Sequence, residues 1–210
     1  MKVLDRFIVL EGLDGAGTTT QLELAECRLR SMGVAHCCTS EPTSGPIGKL
    51  IRDVLAGRLS VQPWTLAMLF AADRTEHLRE PKNGILERLD RGEAVISDRY
   101  LFSSLAYQSL GCDFSFVHSL NAGFPVPRHL VFLDTPVKES QRRLQLRTGS
   151  GQELFEGAEI QERILANYRR SFDLYGGSGM ELHILDGAKS AEEVFENFWK
   201  IIAAVPMLKA

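Results

Sequence analysis

Five short apolar runs punctuate the chain. They are Phe7-Ile8-Val9-Leu10, His36-Cys37-Cys38-Thr39, Ala94-Val95-Ile96-Ser97, Leu130-Val131-Phe132-Leu133 and Leu182-His183-Ile184-Leu185. They are rich in β-formers and do not alternate strictly, the pattern of strands covered on both faces. Longer stretches between them place apolar residues three and four apart, as at Leu22, Ala25, Leu29 and Met32. Strands alternating with helices predict an α/β fold, with a five-stranded parallel sheet flanked by helices. The last helix is marked by Ser190 and Glu193, a capping box, and by the apolar face of Val194, Phe195, Phe198, Trp199 and Ile202. No repeat and no long linker divides the sequence, so residues 1–210 are expected to form a single domain.

The first run leads directly into Glu11-Gly12-Leu13-Asp14-Gly15-Ala16-Gly17-Thr18-Thr19-Thr20, and a helical pattern follows at once. Glycines in a strand-to-helix turn let backbone N–H groups converge on an anion, and the new helix adds the positive end of its dipole. The phosphate-binding template is G-x-x-x-x-G-K-[ST]. Gly12, Gly17 and Thr19 fit it, whereas Thr18 occupies the lysine position. The Thr19 hydroxyl stands where a Mg²⁺ ligand is expected. The third run ends at Asp98-Arg99-Tyr100. A carboxylate at the end of a strand beside such a loop suits the metal or its waters, and the Arg99 fork suits phosphate. Asp-Arg pairs at strand ends also occur as plain ion pairs, so the loop gives this one its meaning.

Two further groups suit a nucleotide. Phe70 and Arg74 are four residues apart on a predicted helix, so a ring and a guanidinium share one face. Such a pair can stack a base and bond its edge. Ser103 to Gln108 offers hydroxyls and an amide. Arg142, Arg143 and Arg147 precede Thr148-Gly149-Ser150-Gly151, and this basic, glycine-ended stretch over about 142–156 reads as a short lid. A solvated basic face is the competing reading.

Composition narrows the class. The chain has 210 residues, 44% hydrophobic and 24% charged, with net charge −3. That excludes disordered and collagen-like chains, and no basic excess points to nucleic acid. No apolar stretch approaches the roughly 18 residues of a membrane helix. The N-terminus lacks a signal-peptide core. Cys27, Cys37, Cys38 and Cys112 form no C-x-x-C pair, so reduced thiols and a cytoplasmic location are expected.

In order and spacing, these elements resemble the thymidylate kinase family, within the P-loop nucleoside-monophosphate kinases. The resemblance runs through the loop at 7–17, Glu41-Pro42-Thr43, Ile47 to Arg52, Leu69 to Arg74, Asp98 to Gln108 and Leu185-Asp186-Gly187. It implies a fold of the P-loop nucleoside triphosphate hydrolase type, with the loop on a central strand. It implies γ-phosphoryl transfer from ATP to dTMP with Mg²⁺, in a homodimer, with no nucleic-acid or membrane partner. By resemblance, Gly12, Leu13, Asp14, Gly15, Ala16, Gly17, Thr18, Thr19 and Thr20 hold the ATP phosphates. Thr19 and Asp98 hold the metal. Arg52, Phe70, Arg74, Arg99, Ser104, Tyr107 and Gln108 receive dTMP, with Phe70 on thymine, Arg74 on its edge, Arg99 on the acceptor phosphate and Tyr107 beside the deoxyribose. Asp14, Arg99 and Arg147 carry catalytic roles, Arg147 as the lid arginine. Thr18 departs from the family lysine. It therefore leaves open a nucleotide-binding protein with weak or lost kinase activity, or a kinase for another pyrimidine monophosphate.

Overall fold

A computed structural model describes residues 2–148 and 157–206. The strands are β1 (Val3–Gly12), β2 (His36–Ser40), β3 (Ala94–Asp98), β4 (Val126–Asp134) and β5 (Glu181–Asp186). They form one parallel sheet in the order β2-β3-β1-β4-β5, so the glycine-rich loop leaves the central strand. Among the described residues the helices are α1 (Thr18–Ser31), α2 (Pro46–Leu55), α3 (Pro63–Arg79), α4 (Ile85–Asp90), α5 (Leu101–Tyr107), α6 (Phe114–Asn121), α7 (Val137–Thr148), α8 (Ala158–Tyr175) and α9 (Ala191–Ala204).

Helix starts follow local chemistry. Pro46 and Pro63 open α2 and α3, where a missing N–H costs nothing. The capping box at Ser190 and Glu193 opens α9.

Period-two alternation divides the sheet between two cores. Phe7, Val9, Val95, Leu130 and Phe132 pack on one face against Phe102 and Leu105 of α5 and Tyr168 and Phe172 of α8. Ile8, Leu10, Ile96, Val131 and Leu133 pack on the other against Ala25 and Leu29 of α1 and Phe195, Phe198 and Ile202 of α9. A smaller cluster, Ile51, Val54, Leu66 and Phe70, joins α2 to α3.

The expectation of two-sided cover holds for β1, β3 and β4 and needs correction at the two edges, at β2, where no residue is fully buried, and at β5. Leu182 is 39% and Ile184 60% exposed. β5 is an edge strand, and among the described residues no further strand lies on its outer side to hold a covering helix in place.

Candidate active site

The C-terminal ends of β1 and β3 meet over the glycine-rich loop, the usual place for ligands in open α/β sheets. Gly15 and Gly17 have φ of +85° and +102°, which other residues adopt only with strain. At Gly15 a side chain would also stand 2.4 Å from the Ser140 carbonyl oxygen. α1 therefore starts from a left-handed Gly17, with no side-chain cap over its first N–H groups. That leaves the helix N-terminus available to an anion.

The two residues expected to hold a metal lie together. Thr19 Oγ1 donates to Asp98 Oδ2 at 2.7 Å. Asp98 Oδ1 is buried and has no hydrogen-bond partner among the described residues. An orphaned buried carboxylate oxygen beside a hydroxyl is the oxygen-rich donor set that Mg²⁺ prefers.

Arg99 is the hub of the site. Its Nη2 donates to Asp14 Oδ1 at 2.5 Å, and its Nη1 to Gly12 O at 3.1 Å, Ser103 Oγ at 3.0 Å and Tyr168 Oη at 3.2 Å. Its guanidinium lies 5.0 Å over the Tyr107 ring. Arg99 is also the one non-glycine residue with positive φ, +72°, among the described residues.

Beneath Arg99 lies Glu11, fully buried at the end of β1. Glu11 accepts from Tyr100 N at 2.9 Å, Ser103 N at 3.1 Å, Ser103 Oγ at 2.5 Å and Tyr168 Oη at 2.8 Å. Burial pushes its pKa from the usual 4.5 to about 7, against the lowering effect of Arg99 and these hydrogen bonds.

Two adjoining cavities share Asp14, Glu41, Pro42 and Arg99. The first is lined by Phe70, Arg74, Tyr107 and Gln108, four of the residues expected to receive dTMP, but not by Arg52 or Ser104. The second is lined by Gly15, Gly17, Thr18, Thr19, Thr20, Arg52, Asp98 and Arg143.

Several expected residues are already engaged. Arg52 donates to Pro42 O at 2.7 Å and Thr43 O at 2.5 Å, so it also holds the loop after β2. Arg74 is fully buried rather than presented on a helix surface. It donates to Glu41 Oε2 at 2.6 Å, to Ser104 Oγ at 3.0 Å and to Asn121 Oδ1. Ser104 thus supports Arg74. The Arg74 Nε and Gln108 Oε1 atoms are buried without a hydrogen-bond partner among the described residues.

On α7, Arg142 and Arg143 both bond Glu139 and hold its carboxyl down to about 2. Arg143 also reaches the phosphate loop, where Nη1 donates to Ala16 O at 3.3 Å. That nitrogen lies 3.8 Å from where a Cβ on Gly17 would stand. The Arg147 side chain and positions 149–156 of the expected lid lie outside the described residues.

A family model described as thymidylate kinase matches residues 10–198. The chain belongs to the thymidylate kinase family. A protein of Treponema pallidum named as a thymidylate kinase is 42% identical over 172 residues, covering 82% of this chain and 81% of its own. One of Methanococcus aeolicus is 37% identical over 200 residues, covering 94% and 95%. The solved Candida albicans thymidylate kinase superposes with a TM-score of 0.78 at 23% identity, over 97% of this chain and 95% of that one, a likeness of fold.

Sequence reasoning assigned no role to Glu11, Glu41 or Tyr168. The signal for Glu11 was a lone carboxylate at the end of an apolar run.

Because Glu11 is held near 7, its protonated form is favoured by folding. The stability it contributes is full below pH 4.5 and is lost as pH rises through about 7. The span from 4.5 to about 7 is worth on the order of 3 kcal/mol. In urea unfolding from pH 5 to 8, Glu11→Gln should lack this decline. Parallel curves for wild type and variant would contradict the assignment.

Proposed function

We propose that the protein transfers the γ-phosphoryl group of ATP to dTMP, forming dTDP and ADP. The observation that carries this reading is the pair of adjoining cavities that meet at Asp14 and Arg99. Phosphoryl transfer needs two phosphates held in line with their charge neutralised, and little covalent chemistry from protein. An oxygen of the dTMP phosphate attacks the γ-phosphorus. The bond to the β–γ bridging oxygen breaks, and ADP leaves with that oxygen.

The backbone of Gly12 to Thr20 cradles the ATP phosphates. Thr19 and Asp98 would hold Mg²⁺, which supplies charge neutralisation at the phosphate oxygens. Arg99 turns its guanidinium to the acceptor phosphate, held from behind by Ser103 and Tyr168. Asp14, on the other side, fixes the orientation of Arg99 and keeps a carboxylate near the sugar.

Phe70 offers a ring face to the base. The buried Arg74 Nε is a donor and Gln108 Oε1 an acceptor, which suits a base edge carrying a carbonyl next to an N–H. Thymine and uracil have that edge. Cytosine has a bare ring nitrogen there. Tyr107 beside the sugar favours a deoxyribose.

Thr18 leaves the ATP half without the lysine charge, and the lid arginines are the available replacements. Arg143 is the candidate with support, since it already touches the loop at Ala16. A cytoplasmic homodimer completes the reading. No helix among the described residues is long and apolar enough to cross a membrane. Trp64 and Met68, one turn apart on α3 and each 48% exposed, offer an apolar surface for a second copy. A monomer mass by light scattering at working concentration would remove the dimer.

A coupled ADP-release assay over a panel of monophosphates tests the reaction. dTMP should give the highest kcat/KM, dUMP should follow and dCMP should give little. No turnover with any of them would favour a binding protein without kinase activity.

Arg143→Ala should lower kcat by about 10²–10³-fold, the usual cost of one transition-state donor. Thr18→Lys should do little in the wild type and should recover most of the loss in the Arg143→Ala background. If the lysine raises kcat equally in both backgrounds, Arg143 does not fill its role.

A further inference from the structure

The end of the sheet opposite the phosphate loop holds a second group of chemically competent side chains. On β4 and β5 the parallel register sets His129 beside Glu181 and Val131 beside His183. Residues two apart on a strand share a face, so His129, Glu181 and His183 all point to the α1–α9 side of the sheet. There His129 Nδ1 lies 3.1 Å from His183 Nε2 and 3.6 Å from Glu181 Oε2, and His183 Nε2 lies 3.9 Å from the same carboxylate oxygen. It is the one convergence of three His, Cys, Asp or Glu ligand atoms within 4.8 Å among the described residues.

We infer that His129, Glu181 and His183 form a binding site for a borderline divalent transition metal, with Zn²⁺ the best fit. Zinc holds nitrogen and oxygen ligands at about 2.0–2.2 Å in a tetrahedron, which sets ligand atoms roughly 3.3–3.5 Å apart. The three observed separations bracket that value. Two imidazoles and a carboxylate are three of the four ligands such a site needs, and water supplies the fourth. Imidazole donors exclude Mg²⁺ and Ca²⁺, which take oxygen. The site is therefore distinct in chemistry from Thr19 and Asp98.

Neutral rings are needed for ligation. Burial lowers the pKa of His129, although Glu181 opposes this. With no metal, one ring N–H bridges the two facing nitrogens. A neutral imidazole can carry its proton on the outer nitrogen instead, so both lone pairs become available without loss of a proton. Arg128 is the adjacent cation, and its charge is met by Asp5, to which Nε donates at 3.0 Å. Solvent reaches the group through Glu181 and His183, whose side chains are 56% and 29% exposed, while that of His129 is 10% exposed.

The consequence is structural. β5 joins the sheet through β4 alone and leaves Leu182 and Ile184 exposed. A metal held by one residue of β4 and two of β5 clamps this edge strand in register. The clamp lies at the strands' N-terminal end, away from the phosphate loop, so nucleotide chemistry does not depend on it.

The test uses the full chain, stripped with chelator and free of nucleotide and Mg²⁺. Isothermal titration with Zn²⁺ should show one saturable site per chain, and Zn²⁺ should raise the melting temperature by mass action. His183→Ala, at a half-buried position, and Glu181→Gln, at an exposed one, should each weaken Zn²⁺ binding about tenfold or more. Co²⁺ should give the visible absorption of a tetrahedral site in wild type and lose it in His183→Ala. Cys38→Ser should bind Zn²⁺ as wild type does, and His183→Ala should keep wild-type ADP release. Absence of saturable binding would overturn the proposal. So would affinity unchanged in His183→Ala, or affinity lost in Cys38→Ser.

Discussion

The site is organised around the Arg99 guanidinium. It is fixed by Gly12 at the end of β1, Asp14 in the loop after it, Ser103 of α5 and Tyr168 of α8. A backbone at φ +72° turns the residue out of β3 toward the loop, and such a conformation costs on the order of 1–3 kcal/mol. The surrounding hydrogen bonds hold it there. Both cavities have Arg99 in their walls, so its position shapes both at once.

The same logic extends inward. A half-buried arginine needs partners on its inner side, and each partner needs its own. Glu11 is ringed by donors from Tyr100, Ser103 and Tyr168, and Tyr168 and Ser103 in turn contact Arg99. A parallel set operates at the base cavity. Arg74 and Glu41 pair at 1% and 2% side-chain exposure, and His77 Nδ1 lies 3.0 Å from Glu41 Oε1. Breaking one partner of such a pair strands the other charge in a dry interior, at about 3–5 kcal/mol. Loss of Arg74 would therefore unsettle the cavity walls as well as any base contact. These networks favour a rigid site, ordered before substrate arrives, which is what positional catalysis requires.

Much of this was legible in the sequence where a local rule applied. Apolar runs marked all five strands, with burial on both faces as the reason at β1, β3 and β4 but not at the edges β2 and β5, and the capping box marked α9. The loop, Thr19, Asp98 and Arg99 were readable because strand-to-loop geometry ties residue type to position. The edge position of β5 was not readable, since strand order is not encoded in the composition of one strand. Arg74 was legible as a cavity residue but not as one half of a buried pair. Its partner Glu41 is 33 residues away, and only the packing of α3 against the β2 end joins them. The contact of Arg143 with Ala16 spans 127 residues and had no local signature either. His129 and His183 meet across 54 residues through strand register alone.

Arg99 as the holder of the acceptor phosphate is the role on which the proposed reaction depends most. The direct measurement is calorimetric affinity for dTMP and for thymidine, which lacks the phosphate, in wild type and in Arg99→Lys, with native near-ultraviolet dichroism required of both. Wild type should prefer dTMP over thymidine by a wide margin. The lysine keeps a charge but loses the planar fork, so most of that margin should vanish while thymidine affinity changes little. A margin preserved in Arg99→Lys would place the acceptor phosphate elsewhere and contradict the account.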